Sequence, residues 1–213
     1  MDNKAQLYKV RDNDIGNAAG VLVEAFRSTR MWRSVLVDDQ EYEQKAPLLF
    51  SIALKFGLKY GDVYAPSSAL EGVAIWTPDR YGDMTAWRIF RSGALGLTVR
   101  VGMKIAKKMQ PMDKVFPVDR KKNMKGKPHV HLFMLGVRKS CQKGGYGHLL
   151  LESFIAECNR TGRFGYLETE SESLVEYYRK AGFELVRKTE LPLLDVPVWE
   201  MMRPPEILHP VSR

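Results

Sequence analysis

The sequence predicts a mixed α/β fold, and three observations predict it. From His129 onward, apolar runs of strand length alternate with stretches of helical periodicity. Upstream, Asp62–Ala65 and Leu70–Trp76 read as strands joined by the turn-rich Pro66-Ser67-Ser68, hence a hairpin. Before them, Ile15, Ala18, Ala19, Leu22, Ala25 and Phe26 recur at helical spacing, forming one apolar face.

The elements follow in order. Tyr8–Arg11 is a short strand, and Asp14 is placed to cap the first helix. Arg30–Asp39 has no clear period, and Gln40 to about Phe56 is a second helical stretch ending near Gly57. Thr77-Pro78-Asp79 ends the second hairpin strand. Thr85–Met109 reads as one helix, although Gly93, Gly96 and Gly102 weaken it by about 1 kcal/mol each relative to Ala. Trp87, Phe90, Ala94, Leu97, Val101 and Ile105 are expected to share its apolar face, covering a core or lining a pocket. Pro111–Pro128 then reads as a charged, mobile connection. His129–Val137 is a strand, Gln142–Gly147 a glycine-rich turn, Leu149–Arg160 a helix and Tyr166–Thr169 a strand. Ser173 is expected to cap a helix with Leu174, Tyr177, Tyr178 and Ala181 inward, and Gly182 fits the position just past its end. Glu184–Lys188 and Val196–Met202 close the pattern as strands.

Bulk properties narrow the function classes. At 213 residues, 45% of them hydrophobic and 27% charged, the chain is ordinary for a globular protein, and one domain over 1–213 is expected. Met1–Val10 is polar with no apolar region behind it, and no window reaches a membrane span, so a cytoplasmic location is expected. Cys141 and Cys158 form no disulfide framework, and no metal-ligand spacing is present, so no metal is expected. The net charge of +8 concentrates in Arg88–Lys108 and Lys114–Lys127 and suits an anionic partner. No nucleic-acid module accompanies it, and nucleic acid is not expected to bind.

The chemistry lies in Val137-Arg138-Lys139-Ser140-Cys141-Gln142-Lys143-Gly144-Gly145-Tyr146-Gly147-His148. A strand ends, a basic loop with three glycines follows, and a helix begins. Glycines let backbone N–H groups turn toward a ligand, and a helix N-terminus adds partial positive charge. Together they suit a diphosphate, with Arg138, Lys139 and Lys143 in support. Neither GxxxxGK[ST] nor GxGxxG is present. What stands here is Gln142-x-x-Gly145-x-Gly147.

That spacing resembles the coenzyme A loop, Q/R-x-x-G-x-G/A, of the GNAT family of N-acetyltransferases. Its context is similar too: Leu167-Glu168-Thr169 on a strand, then Tyr178-Arg179-Lys180-Ala181-Gly182-Phe183 ending a helix. Pro128-His129, Leu132 and Leu135-Gly136-Val137, with Val198-Trp199 and Met202-Arg203-Pro204-Pro205, look like a puromycin-N-acetyltransferase-like subgroup. The resemblance implies a GNAT fold: a mostly antiparallel sheet with splayed fourth and fifth strands and helices on both faces. Residues 129–183 would be the acetyl-CoA-binding core and 85–127 a helical, basic insert.

The resemblance also implies direct transfer of acetyl from acetyl-CoA to a primary amine of a small molecule, in a ternary complex. Backbone groups of Leu135 and Val137 would pair with pantetheine, with Gly136 permitting a bulge. The diphosphate would rest on amides of Gln142, Lys143, Gly144, Gly145, Tyr146, Gly147 and His148. Tyr178 matches the tyrosine that protonates the leaving thiolate and also touches the cofactor. Where the family often has a cofactor-touching asparagine, this chain has Ser171. Glu168 is the candidate base, with Glu170, His129 and His131 also open. Acceptor specificity would fall to Phe26–Trp32, Thr85–Met109 and Pro192–Trp199, toward a neutral or hydrophobic amine or an acidic metabolite. A monomer or homodimer is expected. The alternative is an acyl-CoA-binding or regulatory domain without transfer activity.

Overall fold

The computed structural model describes residues 7–206. A seven-stranded sheet runs through it in the order β1-β2-β3-β4-β5-β7-β6. The strands are β1 (Tyr8–Lys9), β2 (Asp62–Ala65), β3 (Gly72–Pro78), β4 (His129–Val137), β5 (Phe164–Thr169), β6 (Glu184–Leu191) and β7 (Val196–Arg203). β4 and β5 are parallel, and every other neighbouring pair is antiparallel. The expected hairpin is present, with Val63 opposite Ile75.

Helices cover both faces. On one lie α1 (Ile15–Phe26), α2 (Arg30–Val35), α3 (Asp39–Tyr60), α5 (Leu95–Val101) and α6 (Met103–Asn123), over a core that includes Leu22, Phe50, Val73 and Ile75. On the other lie α7 (Tyr146–Thr161) and α8 (Glu172–Lys180), over Trp76, Leu132, Phe154 and Met201. Burial of these two apolar sets drives assembly of the layers. Among the described residues, no helix is long and apolar enough to cross a membrane.

Four elements depart from expectation. Asp14 does not cap α1; its Oδ2 accepts from the Arg11 amide and the Tyr8 hydroxyl, both at 2.9 Å. Asp38 caps α3 instead, accepting from the Glu41 amide at 2.6 Å, and the helix continues past Gly57 to Tyr60. Gly57 serves packing: an added Cβ would lie 2.5 Å from Ile75 Cγ2 and 2.9 Å from Val63 Cγ2. The expected single helix Thr85–Met109 is three: α4 (Ala86–Arg91), α5 and α6. Breaks fall at Gly93 and Gly102, whose φ of 74° and 89° lie in the left-handed region that glycine enters without steric cost. Trp87 and Phe90 of α4 are exposed, 64% and 52%, rather than covering a core; Ala94, Val101 and Ile105 are buried as expected.

The fourth departure matters most for function. Pro111–Pro128 is not a loop: α6 runs through Pro111 and Pro117 to Asn123. Proline normally costs about 3 kcal/mol inside a helix, which is why the sequence argued for a break. Here burial of Ile105, Pro111, Met112, Asp119 and Arg120 against the sheet side outweighs that cost.

Candidate active site

β4 and β5 pair only from His129–Phe164 to Leu132–Leu167. Beyond that, β4 stays with β3 as far as Val137, opposite Gly72, while β5 follows β7 to Thr169, opposite Trp199. The two middle strands therefore part, and Phe133–Val137 face the fork with an edge that β5 does not pair. The register of β4 against β3 jumps between Leu132 and Met134, leaving Phe133 as a bulge. The sequence places that bulge at Gly136. Gly136 is instead the point where α1 lies on β4, since a Cβ there would stand 2.9 Å from Ala25 Cβ and 3.1 Å from Leu22 Cδ2. A bulge re-aims side chains: Phe133 and Met134 both line a cavity on the α6 side, and Leu135 packs on the α7 side.

At the end of β4 the glycine-rich loop enters α7. Lys143 and Gly145 have φ of 68° and 82°, and Gly145 is the residue before the first helical turn. The first N–H groups of a helix have no partner within it, so those of Tyr146, Gly147 and His148 are available to a ligand. Gln142 Nε2 donates to Val137 O at 3.4 Å, tying the loop to the strand. Arg138 is committed elsewhere: its Nε donates to Leu70 O at 3.0 Å and Nη1 lies 3.5 Å from Glu24. Glu24 also accepts from the Lys139 amide at 2.6 Å, so α1 anchors the loop's first residues.

Tyr178 is 8% exposed on the α7–α8 face of the sheet, packed against Tyr177 and Phe183. Of the adjacent tyrosines it is the inward one, and Tyr177 is half-buried. The inward face of α8 is Val175 and Tyr178; Leu174, expected inside, is 42% exposed. The residue before α8 is Ser171, not Ser173, and the two hydroxyls bond at 2.8 Å. Burial pushes the Tyr178 phenol upward, so it keeps its proton at neutral pH.

On the opposite face, α6 meets the sheet through three polar residues of one turn. Asn123 Nδ2 donates to Glu200 Oε2 of β7 at 2.5 Å, and Asp119 pairs with Arg187 of β6 at 3.0 Å. Arg120 sits between Asp83 at 2.5 Å and Glu168 of β5 at 3.4 Å, and also donates to Gly82 O at 2.8 Å. Gly82 leaves it room: a Cβ there would touch the guanidinium at 3.0 Å. His131 Nε2 lies 2.6 Å from Glu168 Oε2, and its Nδ1 faces Arg120 Nη1 at 3.4 Å. Arg120 only donates, so Nδ1 is the acceptor and Nε2 carries the proton toward Glu168. Burial disfavours the imidazolium and lowers the His131 pKa, consistent with that neutral tautomer. Burial also opposes the Glu168 charge, but His131 and Arg120 outweigh it and hold the carboxyl below its usual range. Both Glu168 oxygens are thus engaged. His129 lies at the closed end of the β4–β5 pair, with Nδ1 on Lys127 O at 3.0 Å.

Glu170 is different. It is half-buried just past the end of β5, two residues after Glu168 and beyond the last β4–β5 pair. Its Oε2 accepts from the Met31 amide at 2.5 Å, and burial raises its pKa. Glu168 and Glu170 share the walls of the cavity with α2 and α6. Arg120 was legible only as part of a basic run; a buried guanidinium inside Arg120-Lys121-Lys122 has no sequence signal apart from the helical phase of α6.

Glu200 is fully buried, with Oε2 held by Tyr166 at 2.8 Å and by Asn123. Its Oε1 and Asp119 Oδ2 are both buried without a partner. One proton between them satisfies both, and burial with Asp119 nearby pushes Glu200 up to about 7. A folded pKa above the unfolded value near 4.5 stabilises below that value and is lost as pH rises through about 7. Thermal unfolding is expected to show stability falling by on the order of 2 kcal/mol from pH 5 to pH 8. Glu200→Gln, whose amide donates without titrating, should flatten that profile; an unchanged slope would assign it to other groups.

Comparison with known proteins bears on this arrangement. The family model for an acetyltransferase (GNAT) domain matches residues 118–191, from the end of α6 through β6. The match spans about a third of the chain. No curated protein matches the sequence. Among solved structures, the chain is similar to a histone acetyltransferase HPA2 and related acetyltransferase from Corynebacterium glutamicum, at TM-score 0.66 and 21% identity, over 97% of this chain and 98% of that one. It is similar to arylalkylamine N-acetyltransferase 2 from Aedes aegypti, at TM-score 0.65 and 12% identity, over 94% and 99% of the two chains. The ribosomal-protein-S18-alanine N-acetyltransferase from Escherichia coli has TM-score 0.53 and 13% identity, with 98% of each chain covered. At these identities the likeness establishes the GNAT fold, with its open, mostly antiparallel sheet.

Proposed function

We propose that the protein transfers an acetyl group directly from acetyl-CoA to a primary amine of a small molecule, in a ternary complex. The observation that carries this reading is the fork between β4 and β5, with the glycine-rich loop at its rim and a largely apolar cavity carrying a few charged groups at its base. In this proposal the unpaired edge at Leu135, Gly136 and Val137 holds pantetheine. The diphosphate rests on the backbone of Gln142–His148, where the turn at Lys143 and Gly145 and the start of α7 favour an anion. Ser171 adds a hydroxyl beside the cofactor. Tyr178 supplies the proton that the departing thiolate takes, and its raised pKa suits a group that must arrive protonated. Glu168, with both oxygens occupied, holds Arg120 and His131 in place rather than taking a proton itself. We further assign the chain to the GNAT family from its Gln142–Gly147 and Tyr178–Phe183 motifs, and to the puromycin-N-acetyltransferase-like subgroup from Pro128-His129, Leu132, Leu135-Gly136-Val137, Val198-Trp199 and Met202-Arg203-Pro204-Pro205.

The test is a panel of amines incubated with acetyl-CoA, reading free thiol. Acetyl-dependent thiol release with an acetylated product supports transfer; coenzyme binding with no transfer to any amine would support a binding domain instead. Gly145→Glu is expected to raise the acetyl-CoA Kd by about two orders of magnitude or more. An added Cβ meets no atom within 4 Å, so the strain is confined to a backbone φ of 82° at the loop, and the carboxylate would face the proposed diphosphate. Undiminished binding, followed by calorimetry, would move the phosphate site away from this loop.

A further inference from the structure

We propose that the cavity beside the fork takes an apolar primary amine in its ammonium form, with Glu170 as the carboxylate that receives it. This rests on the acetyltransferase reading above and names its acceptor.

The cavity, of about 170 Å3, is walled mainly by Met31, Met84, Met109, Met112, Met134 and Phe133. Methionine walls are polarisable and adaptable and fit aryl or alkyl groups of varied shape. The charged groups at the cavity are four carboxylates, Asp83, Asp113, Glu168 and Glu170, against one guanidinium, Arg120. That balance turns away an anionic acceptor, although the chain carries +8 overall; the basic surface of α4–α6 misleads about the interior. Arg120 serves Asp83 and Glu168, and Lys121 also reaches Asp83 at 3.1 Å. Glu170 makes no ion pair among the described residues; it accepts from the Met31 amide, and the Thr29 hydroxyl and the Arg30 charge also favour its ionised form, though less than burial opposes it. A half-buried carboxylate in apolar surroundings gains most from a cation that brings its own donors.

Position supports the same residue. Glu170 and Thr169 lie just past the last β4–β5 pair, and Phe133 and Met134 stand at the matching place on β4. An amine bound there faces the fork in which the thioester would lie. The steps balance. The ammonium gives one proton to the Glu170 carboxylate, which passes it to solvent. The freed nitrogen attacks the thioester carbon, forming C–N as C–S breaks. The sulfur takes the Tyr178 proton, and the second nitrogen proton returns through water to the phenolate.

The experiment compares 2-phenylethylamine, phenylalanine and spermidine as acceptors in wild type, Glu170→Gln and Met112→Lys. The expected result is a kcat/KM for 2-phenylethylamine at least tenfold above the other two. Glu170→Gln should lower it by roughly 10- to 100-fold, as for loss of a hydrogen bond to a charged group, with acetyl-CoA Kd unchanged. Met112→Lys, which puts a cation in the wall, should weaken 2-phenylethylamine binding in calorimetry without coenzyme. Transfer that favours phenylalanine or spermidine, or that is unaffected by Glu170→Gln, overturns the acceptor proposal and leaves the acetyltransferase reading standing. Calorimetric binding of 2-phenylethylamine lost in Glu170→Gln, with no transfer to any amine, upholds the cavity's ligand and sinks the transfer reading. No binding and no transfer overturns both.

Discussion

Tyr178→Phe is expected to lower kcat by about 10²- to 10³-fold while changing acetyl-CoA affinity by less than about twofold. The ring packs against Tyr177 and Phe183, and phenylalanine keeps those contacts, so the fold and the coenzyme site should survive. What disappears is a phenolic proton that burial keeps in place across the working pH range. Without it, the thiolate must take a proton from water, and C–S cleavage slows. Single-turnover kinetics with saturating acetyl-CoA check this. Turnover within threefold of wild type would remove Tyr178 from the mechanism and return it to the α8 core. The matched control is Tyr177→Phe, which changes the half-buried neighbour and should leave kcat alone.

Arg120→Met should have the largest effect on stability, about 3–5 kcal/mol, or roughly a 10 °C fall in Tm. Arg120 is 4% exposed and lies between Asp83 and Glu168. Removing its charge strands two carboxylates close together under α6, and methionine fills the space without neutralising either. Lys121 pairs with the same Asp83 but is 73% exposed. Lys121→Met should therefore cost under about 1 kcal/mol, as exposed ion pairs do. Differential scanning calorimetry separates the two. Equal losses would mean that burial of Arg120 contributes nothing, and with it the claim that α6 is clamped through this residue. Because Arg120 also bears on the His131 tautomer and the Glu168 charge, its loss should reach the cavity that these residues line as well as the fold.

The segment from β4 to α8 was legible because its signals are local. The apolar run His129–Val137 meets a glycine loop whose positive φ at Gly145 is a backbone requirement written in the sequence, whereas that at Lys143 is not. The four-residue distance from Tyr178 to Gly182 likewise follows from one helical turn and its terminating glycine. The region 85–127 was misread because its signals conflict. Glycines at 93 and 102 break what periodicity alone joins, and prolines at 111 and 117 sit inside a helix that tertiary burial holds together. Gly57 and Gly136 read as a stop and a bulge, yet both are contact points where a helix lies close on a strand. Nothing local distinguishes a glycine that ends an element from one that admits a neighbour.

By itself, the sequence determined the mixed α/β class, the order and type of most elements, the glycine-rich turn between β4 and α7 and the burial of Tyr178 on α8. These depend on period, turn chemistry and short spacing, which a chain carries wherever it goes. Only the tertiary structure decided that α6 closes over the sheet and that Arg120 is buried. It also decided that both Glu168 oxygens are engaged while Glu170 makes no ion pair among the described residues, and that the charged groups lining a cavity in a basic protein are mostly acidic. Those properties arise from groups 37 to 139 residues apart in the chain meeting across two layers. Their charges and burial take values only when the layers pack.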